Sequence, residues 1–180
     1  VYMSNFGLDA ISATRLLNNF GFTPKKPVVM SWSSGFEELI QLDPAARENL
    51  IVGSNYYYTI DNPDNKKFVE AYKKKFKGVP PGYAGAAGYG LMKMTLLGMQ
   101  KSGSNEPQKV ITALEEHKGK NFVGDFEIRG RNHQTVRPFF VLQTKKKSEM
   151  KNQYDMAEVV DVSSTEQPKN INMCKDIGSF

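Results

Sequence analysis

Val1-Tyr2-Met3-Ser4-Asn5 and Val28-Val29-Met30-Ser31 are two short strand-like runs with one helical pattern between them, all within about thirty residues, the size of a crossover unit. A strand, a helix and a strand in that span form parallel neighbours joined by a right-handed connection. This spacing commits the chain to the α/β class. In the intervening helix Ala13, Leu16, Leu17 and Phe20 recur at i, i+3, i+4 and i+7, with Asp9 in the capping position and Gly21 in the stop position. The pattern predicts a buried stripe on those four residues.

Further along, Phe36 to Leu42 reads as a short helix and Asp43-Pro44 as a turn. Leu50-Ile51-Val52 with Tyr56-Tyr57-Tyr58 reads as an extended stretch with half-buried tyrosines. Asp61-Asn62-Pro63-Asp64 opens a helix through Phe68, Val69, Tyr72 and Phe76 that ends at Gly78 and Pro80-Pro81. A helix from Tyr83 to Lys101 begins with the small residues Ala84-Gly85-Ala86-Ala87-Gly88, which implies close packing against a neighbour. Glu106 to His117 carries Val110, Ile111 and Leu114 inward on a third helix. Asn121 to Ile128, Val136 to Thr144 and Met156 to Val162 read as strands, and the tail from Ser163 to Phe180 as polar and irregular.

The 180 residues contain 39% hydrophobic and 24% charged side chains, a composition that folds into a core rather than staying disordered. The longest apolar candidate for a membrane span, Leu91 to Met99, is interrupted by Lys93 and Gly98 and falls well short of about 18 residues. A net charge of +5 invites acidic partners only if it is concentrated. Lys73-Lys74-Lys75 and Lys145-Lys146-Lys147 lack the interleaved aromatics of a base-stacking surface, so nucleic acid is not the expected partner. The single cysteine, Cys174, excludes an internal disulfide and leaves open a partner outside the chain. The strand at the very start wants sheet neighbours that the later strands hardly supply, so the chain is expected to be part of a longer protein.

Catalytic signatures are missing. His117 and His133 have no second ligand at metal-binding spacing, and no Gly-x-Ser-x-Gly elbow places a serine as nucleophile. Gly85 to Gly90 follows a proline turn rather than a strand and lacks a P-loop lysine, so it is read as helix packing. The expectation is therefore no enzyme, no cofactor and no metal. The loops after the first two strands do offer binding chemistry. In open parallel sheets ligands sit beyond the carboxyl ends of strands, and Ser4-Asn5-Phe6-Gly7 and Ser31-Trp32-Ser33-Ser34-Gly35 each combine hydrogen-bonding groups with one aromatic ring there. For any single residue, helix capping beside a packing aromatic is an equal reading.

Several segments, in order, resemble the extracytoplasmic solute-binding proteins of ABC transporters of the branched-chain amino acid type, the leucine/isoleucine/valine-binding protein family with the type I periplasmic binding fold. They are Val1 to Ala10, Phe68-x-x-x-Tyr72-x-x-x-Phe76, Pro80-Pro81, Ala87-Gly88-Tyr89-Gly90, Lys101-Ser102-Gly103-Ser104, Ala113-Leu114-Glu115, Gly124-Asp125-Phe126-Glu127-Ile128 and Asn132 to Pro138. The resemblance covers almost the whole chain, from Val1 to Cys174, and what looks like the C-terminal half of that family's two-lobed, doubly wound, mainly parallel fold, with the N-terminal half absent. It implies residues 1–60 in the second lobe, 61–150 in the first, and 151–180 as the return crossover and tail.

The resemblance further implies a periplasmic or extracytoplasmic protein that binds a small organic solute between lobes and delivers it to permease subunits. Asn5, Phe6, Ser31, Trp32, Ser33 and Tyr89 would touch that solute. In amino-acid-binding members the loop after the second strand supplies an acid for the ligand ammonium. Here it reads Ser31-Trp32-Ser33-Ser34, and Glu37 and Glu38 fall in the following helix. A buried ammonium without that acid forgoes a contact of roughly 1.5–3 kcal/mol and keeps its desolvation cost. This favours an aromatic carboxylate or amide over an amino acid. A ligand-sensing regulatory domain of the same fold is the alternative reading. Uncovered sheet edges and helix faces in a half-length chain also predict self-association.

Overall fold

Tyr2–Met3 (β1) and Val28–Met30 (β2) pair in parallel, Met3 opposite Met30, with the helix Gly7–Asn19 (α1) between them in sequence. The computed structural model describes residues 1–31, 34–115, 117–130 and 132–164. Its later elements are Phe36–Leu39 (α2), Leu50–Ser54 (β3), Pro63–Lys75 (α3), Tyr83–Ser102 (α4), Pro107–Leu114 (α5), Lys118–Asn121 (β4), Gly124–Ile128 (β5), Thr135–Val136 (β6), Pro138–Thr144 (β7) and Ala157–Ser164 (β8). They form two units. One joins Val1–Ala84 to Phe139–Ser163, and the other holds Gly85–Pro138.

The first unit is built on a five-stranded sheet in the order β1-β2-β3-β7-β8. β1, β2 and β3 are parallel, as the crossover spacing requires, while β7 returns antiparallel with Ile51 opposite Gln143. Period-two alternation buries Val28 and Met30, Leu50 and Val52, Phe140 and Leu142. Met156 and Ala157 complete that core, and Lys145 closes the turn into it by donating its amide to the Met156 carbonyl at 2.8 Å.

Several expectations need correction. α1 buries Ala10, Ile11 and Thr14 rather than the predicted stripe. Leu16 is 59% and Phe20 82% exposed. The helix is turned so that Ala10, Ile11 and Thr14 face inward, and the Thr14 hydroxyl satisfies itself on the Ala10 carbonyl at 2.7 Å. Asp9 lies in the first turn, where its charge suits the helix dipole, and Phe6 occupies the cap. The Tyr56-Tyr57-Tyr58 stretch is a loop after β3, not strand, and Tyr56 and Tyr57 are fully buried. Asn65, also fully buried, accepts from the Tyr56 hydroxyl at 2.8 Å and donates to the carbonyls of Tyr58 and Ile60 at 3.0 and 2.9 Å.

α3 starts as its sequence predicts, with Asn62 accepting from the amides of Asp64 and Asn65 and Pro63 in the first turn. It stays with the first unit, where Phe68 meets Tyr56 edge-on at 6.3 Å. Residues 61–84 and 139–150 join residues 1–60, because Asn65 and Phe68 hold α3 to the loop after β3 and β7 pairs with β3. β8 runs on to Ser164. Cys174 and the rest of the expected tail lie outside the described residues.

In the second unit α4 and α5 meet at Gly98, where an added Cβ would stand 2.7 Å from Val110 and 3.0 Å from Leu114. α5 ends at Leu114, short of the expected His117, and Ile111 stays exposed on it. The expected single strand from Asn121 to Ile128 is a hairpin: β4 and β5 are antiparallel, with Asn121 opposite Gly124 across Phe122-Val123. The Asn121 side chain accepts from the Val123 amide at 2.9 Å, and Gly124 takes a positive φ of 130°. Polar Lys118-Gly119-Lys120 gives no apolar alternation, which hides the first strand of the pair. β6 completes this three-stranded sheet.

Candidate functional site

The carboxyl ends of β1 and β2 stand side by side, so the loops that follow them are neighbours. Ser31, the first residue past β2, is tied to β1: its amide donates to the Met3 carbonyl at 3.1 Å and its hydroxyl to the same oxygen at 3.4 Å. Asn5 is exposed two residues past β1, and Phe6 follows it with 58% of its surface exposed. An aromatic ring placed at a strand end and left largely uncovered is free to meet another body. Phe6 also caps α1 without a side-chain acceptor, so the amides that open the 13-residue helix have no side-chain partner there. Gly7 turns the chain into the helix with φ 56°.

Asn5, Phe6 and Ser31 are thus brought together. Trp32 and Ser33 lie outside the described residues. Tyr89 is in the second unit, on α4, 37% exposed, with its ring edge-on to Phe122 at 5.2 Å and the Lys93 ammonium 5.3 Å from its centre. Among the described residues no group of three histidine, cysteine or acidic side chains is placed to hold a metal, and no helix is long and apolar enough to cross a membrane.

Past Ser31 the loop contains a cluster that the sequence did not single out. Ser34 is buried, and its hydroxyl has no hydrogen-bond partner among the described residues. Gly35 starts α2 in a conformation that lets its amide donate to the Glu38 carboxylate at 2.9 Å. The other Glu38 oxygen accepts from the Tyr83 hydroxyl at 3.0 Å. Glu37 accepts from the backbone amides of Tyr83 and Ala84 at 3.1 and 3.0 Å. Burial first, then the neighbouring Glu38 carboxylate, push the Tyr83 phenol up to about 12, so it stays a donor. Both acids after the second strand are therefore occupied by protein donors. A capping pattern, Gly35-x-x-Glu38, was the one local signal, while the partners 45 and 46 residues away left none.

A family model described as periplasmic binding protein matches residues 1–149. No curated protein matches the chain. Among solved structures, an amino acid ABC transporter substrate-binding protein from Pseudomonas fluorescens is 28% identical with a TM-score of 0.85, over 92% of this chain and 44% of that one. A leucine-binding protein from Thermotoga maritima is 21% identical with a TM-score of 0.72, over 89% and 43%. A solute-binding protein of an ABC transporter from Rhodopseudomonas palustris, solved with 3,4-dihydroxybenzoic acid, is 16% identical with a TM-score of 0.78, over 94% and 46%. The chain spans less than half the length of each. With parallel β1, β2 and β3, and a family match over most of its length, the chain belongs to the periplasmic binding protein family and has part of its α/β fold.

Proposed function

We propose that this chain is part of an extracytoplasmic solute-binding protein of an ABC transporter, which holds a small organic solute without altering it and passes it to membrane permease subunits. In this reading the first unit belongs to the family's second lobe and residues 85–138 to its first. Asn5, Phe6 and Ser31 contact the solute at the carboxyl ends of β1 and β2. Trp32, Ser33 and Tyr89 join them by the resemblance. The observation that carries the reading is the exposed Phe6 ring beside Asn5 and Ser31 on adjacent parallel strand ends, a mixture of one flat apolar surface with a few polar groups that suits a small ligand.

The solute class follows from the two acids. Glu37 and Glu38 each satisfy protein donors, so an ammonium at this loop would meet no unengaged carboxylate from them. That supports an aromatic carboxylate or amide over an α-amino acid. Thermal denaturation of the full-length protein with millimolar benzoate, benzamide, leucine and phenylalanine tests it. A rise in Tm with benzoate or benzamide is expected. A rise with the amino acids alone would overturn the solute class, and no response across a broad solute panel would overturn the function.

A further inference from the structure

At the other end of the first unit's sheet, where β3 begins and β7 ends, lies a cleft of about 430 Å³. Ile40, Leu42, Pro44 and Met150 give it an apolar wall, and Arg47 and Lys147 bring two cations to it. Arg47 is unusual for a charged residue, being only 5% exposed. Its backbone is fixed by the Thr144 hydroxyl, which donates to the Arg47 carbonyl and accepts from the Leu50 amide.

The guanidinium is only partly satisfied. Nη1 donates to the Leu39 carbonyl at 3.1 Å, Nη2 reaches the Met150 sulfur at 3.8 Å, and Nε has no partner among the described residues. Among the described residues no carboxylate is within ion-pair distance of it, although the Tyr57 phenol and, less strongly, Asp43 interact with it electrostatically. Nε and Nη2 form one edge of a planar fork whose two parallel N–H bonds match the two oxygens of a carboxylate. A thioether is a weak acceptor, and a buried charge left so poorly matched is costly. The edge that lacks an acceptor is the one facing Met150, a cleft-lining side chain that is unbranched, only half-buried and easily re-seated. Lys147 is exposed at the same cleft and forms no ion pair among the described residues.

We infer that this cleft is a second binding site, separate from the carboxyl-end loops, for a small monocarboxylate with a short apolar tail. The Met150 side chain turns aside, the carboxylate takes the Nε and Nη2 edge of Arg47, Lys147 adds a second positive charge, and the tail lies on Ile40, Leu42 and Pro44. Asn152 and Gln153 complete the lining; the apolar wall, which offers no donors, is what favours a carboxylate with a tail over inorganic phosphate.

The test is a titration of the full-length protein, labelled at its methionine methyl groups, with hexanoate, hexanamide and inorganic phosphate. Met150→Leu assigns the Met150 signal. Met3 and Met30, the last residues of β1 and β2, report on the opposite sheet end. Hexanoate is expected to move the Met150 signal saturably and hexanamide to leave it in place. Lys147→Ala, an exposed change, weakens hexanoate roughly two- to fivefold, and Arg47→Met abolishes the response. Should Arg47→Met fail to fold, Lys147→Ala and the amide control still decide. The inference is overturned by a Met150 signal indifferent to hexanoate, by an equal response to hexanamide or to phosphate, by hexanoate shifts confined to Met3 and Met30, or by unchanged affinity in Lys147→Ala.

Discussion

Glu37 caps a helix that begins at Tyr83: its carboxylate accepts the amides of Tyr83 and Ala84, the first two residues of α4, at 3.1 and 3.0 Å. The cap comes from a distant loop rather than from the preceding residue, and it sits where the chain leaves the first unit. Loss of a helix cap costs about 1–2 kcal/mol, so Glu37→Ala should lower stability by that amount in chemical denaturation. Gly82→Ala should do the same by another route, since its Cβ would come within 2.0 Å of the Glu37 carboxyl carbon and displace it. The double variant should be little worse than either single one, because both remove the same interaction. Additive losses would mean the two residues act independently.

Asn65 is expected to be the most sensitive single polar residue of the first unit. It is fully buried and satisfies the Tyr56 hydroxyl and two backbone carbonyls at once. Asn65→Ala removes all three bonds, although the Ile60 carbonyl keeps the Asn62 amide at 2.9 Å, and should cost about 1–3 kcal/mol, the range for leaving a buried polar group unsatisfied. Asn65→Asp should also be poor, because a carboxylate cannot donate to the Tyr58 and Ile60 carbonyls. Urea midpoints at constant slope would measure both.

The Lys145–Asp155 pair predicts an acid limb of stability. Burial raises the Asp155 carboxyl, but the Lys145 ammonium at 2.7 Å and the Lys151 amide at 3.0 Å outweigh it and hold the group below its usual value. A depressed carboxyl contributes stability that is complete above its unfolded value of about 3.9 and is lost as pH falls through the folded one. Asp155→Asn should therefore be less stable than the parent near pH 6, by about 1–3 kcal/mol. The gap should close below about pH 4. A constant gap across that range would place the role of Asp155 outside its charge.

Phe6→Ala separates binding from folding. The ring is mostly exposed, and surface changes of this kind usually move stability by about 0.5 kcal/mol or less. If Phe6 meets the solute, its removal should weaken affinity at least about tenfold with little change in Tm, in keeping with an aromatic contact at a ligand. Calorimetric titration with the solute found by thermal screening reads the affinity directly.

The parallel start of the fold was legible because β1, α1 and β2 are local: each apolar run is bounded by turn residues, and the crossover length admits one topology. The strand ends carrying Asn5, Phe6 and Ser31 followed from that topology. What the sequence hid depends on distance. The face of α1 is not local in this sense: Leu16 and Phe20 look like core, while Ala10, Ile11 and Thr14 are the buried residues. β4 was hidden because Lys118 to Asn121 is polar and finds its partner only across the hairpin. The commitment of Glu37 to α4, and the half-satisfied Arg47 beside Met150, arise from residues 46 and 103 positions away.

The sheet of the first unit is closed by Thr144, whose hydroxyl meets the Leu50 amide 94 residues earlier. During synthesis β3 must therefore wait, with one flank unpaired, until the whole excursion through α4, α5 and the small antiparallel sheet has emerged from the ribosome. Translation speed over Gly85 to Pro138 consequently sets how long that flank stays open to mispairing or to chaperones.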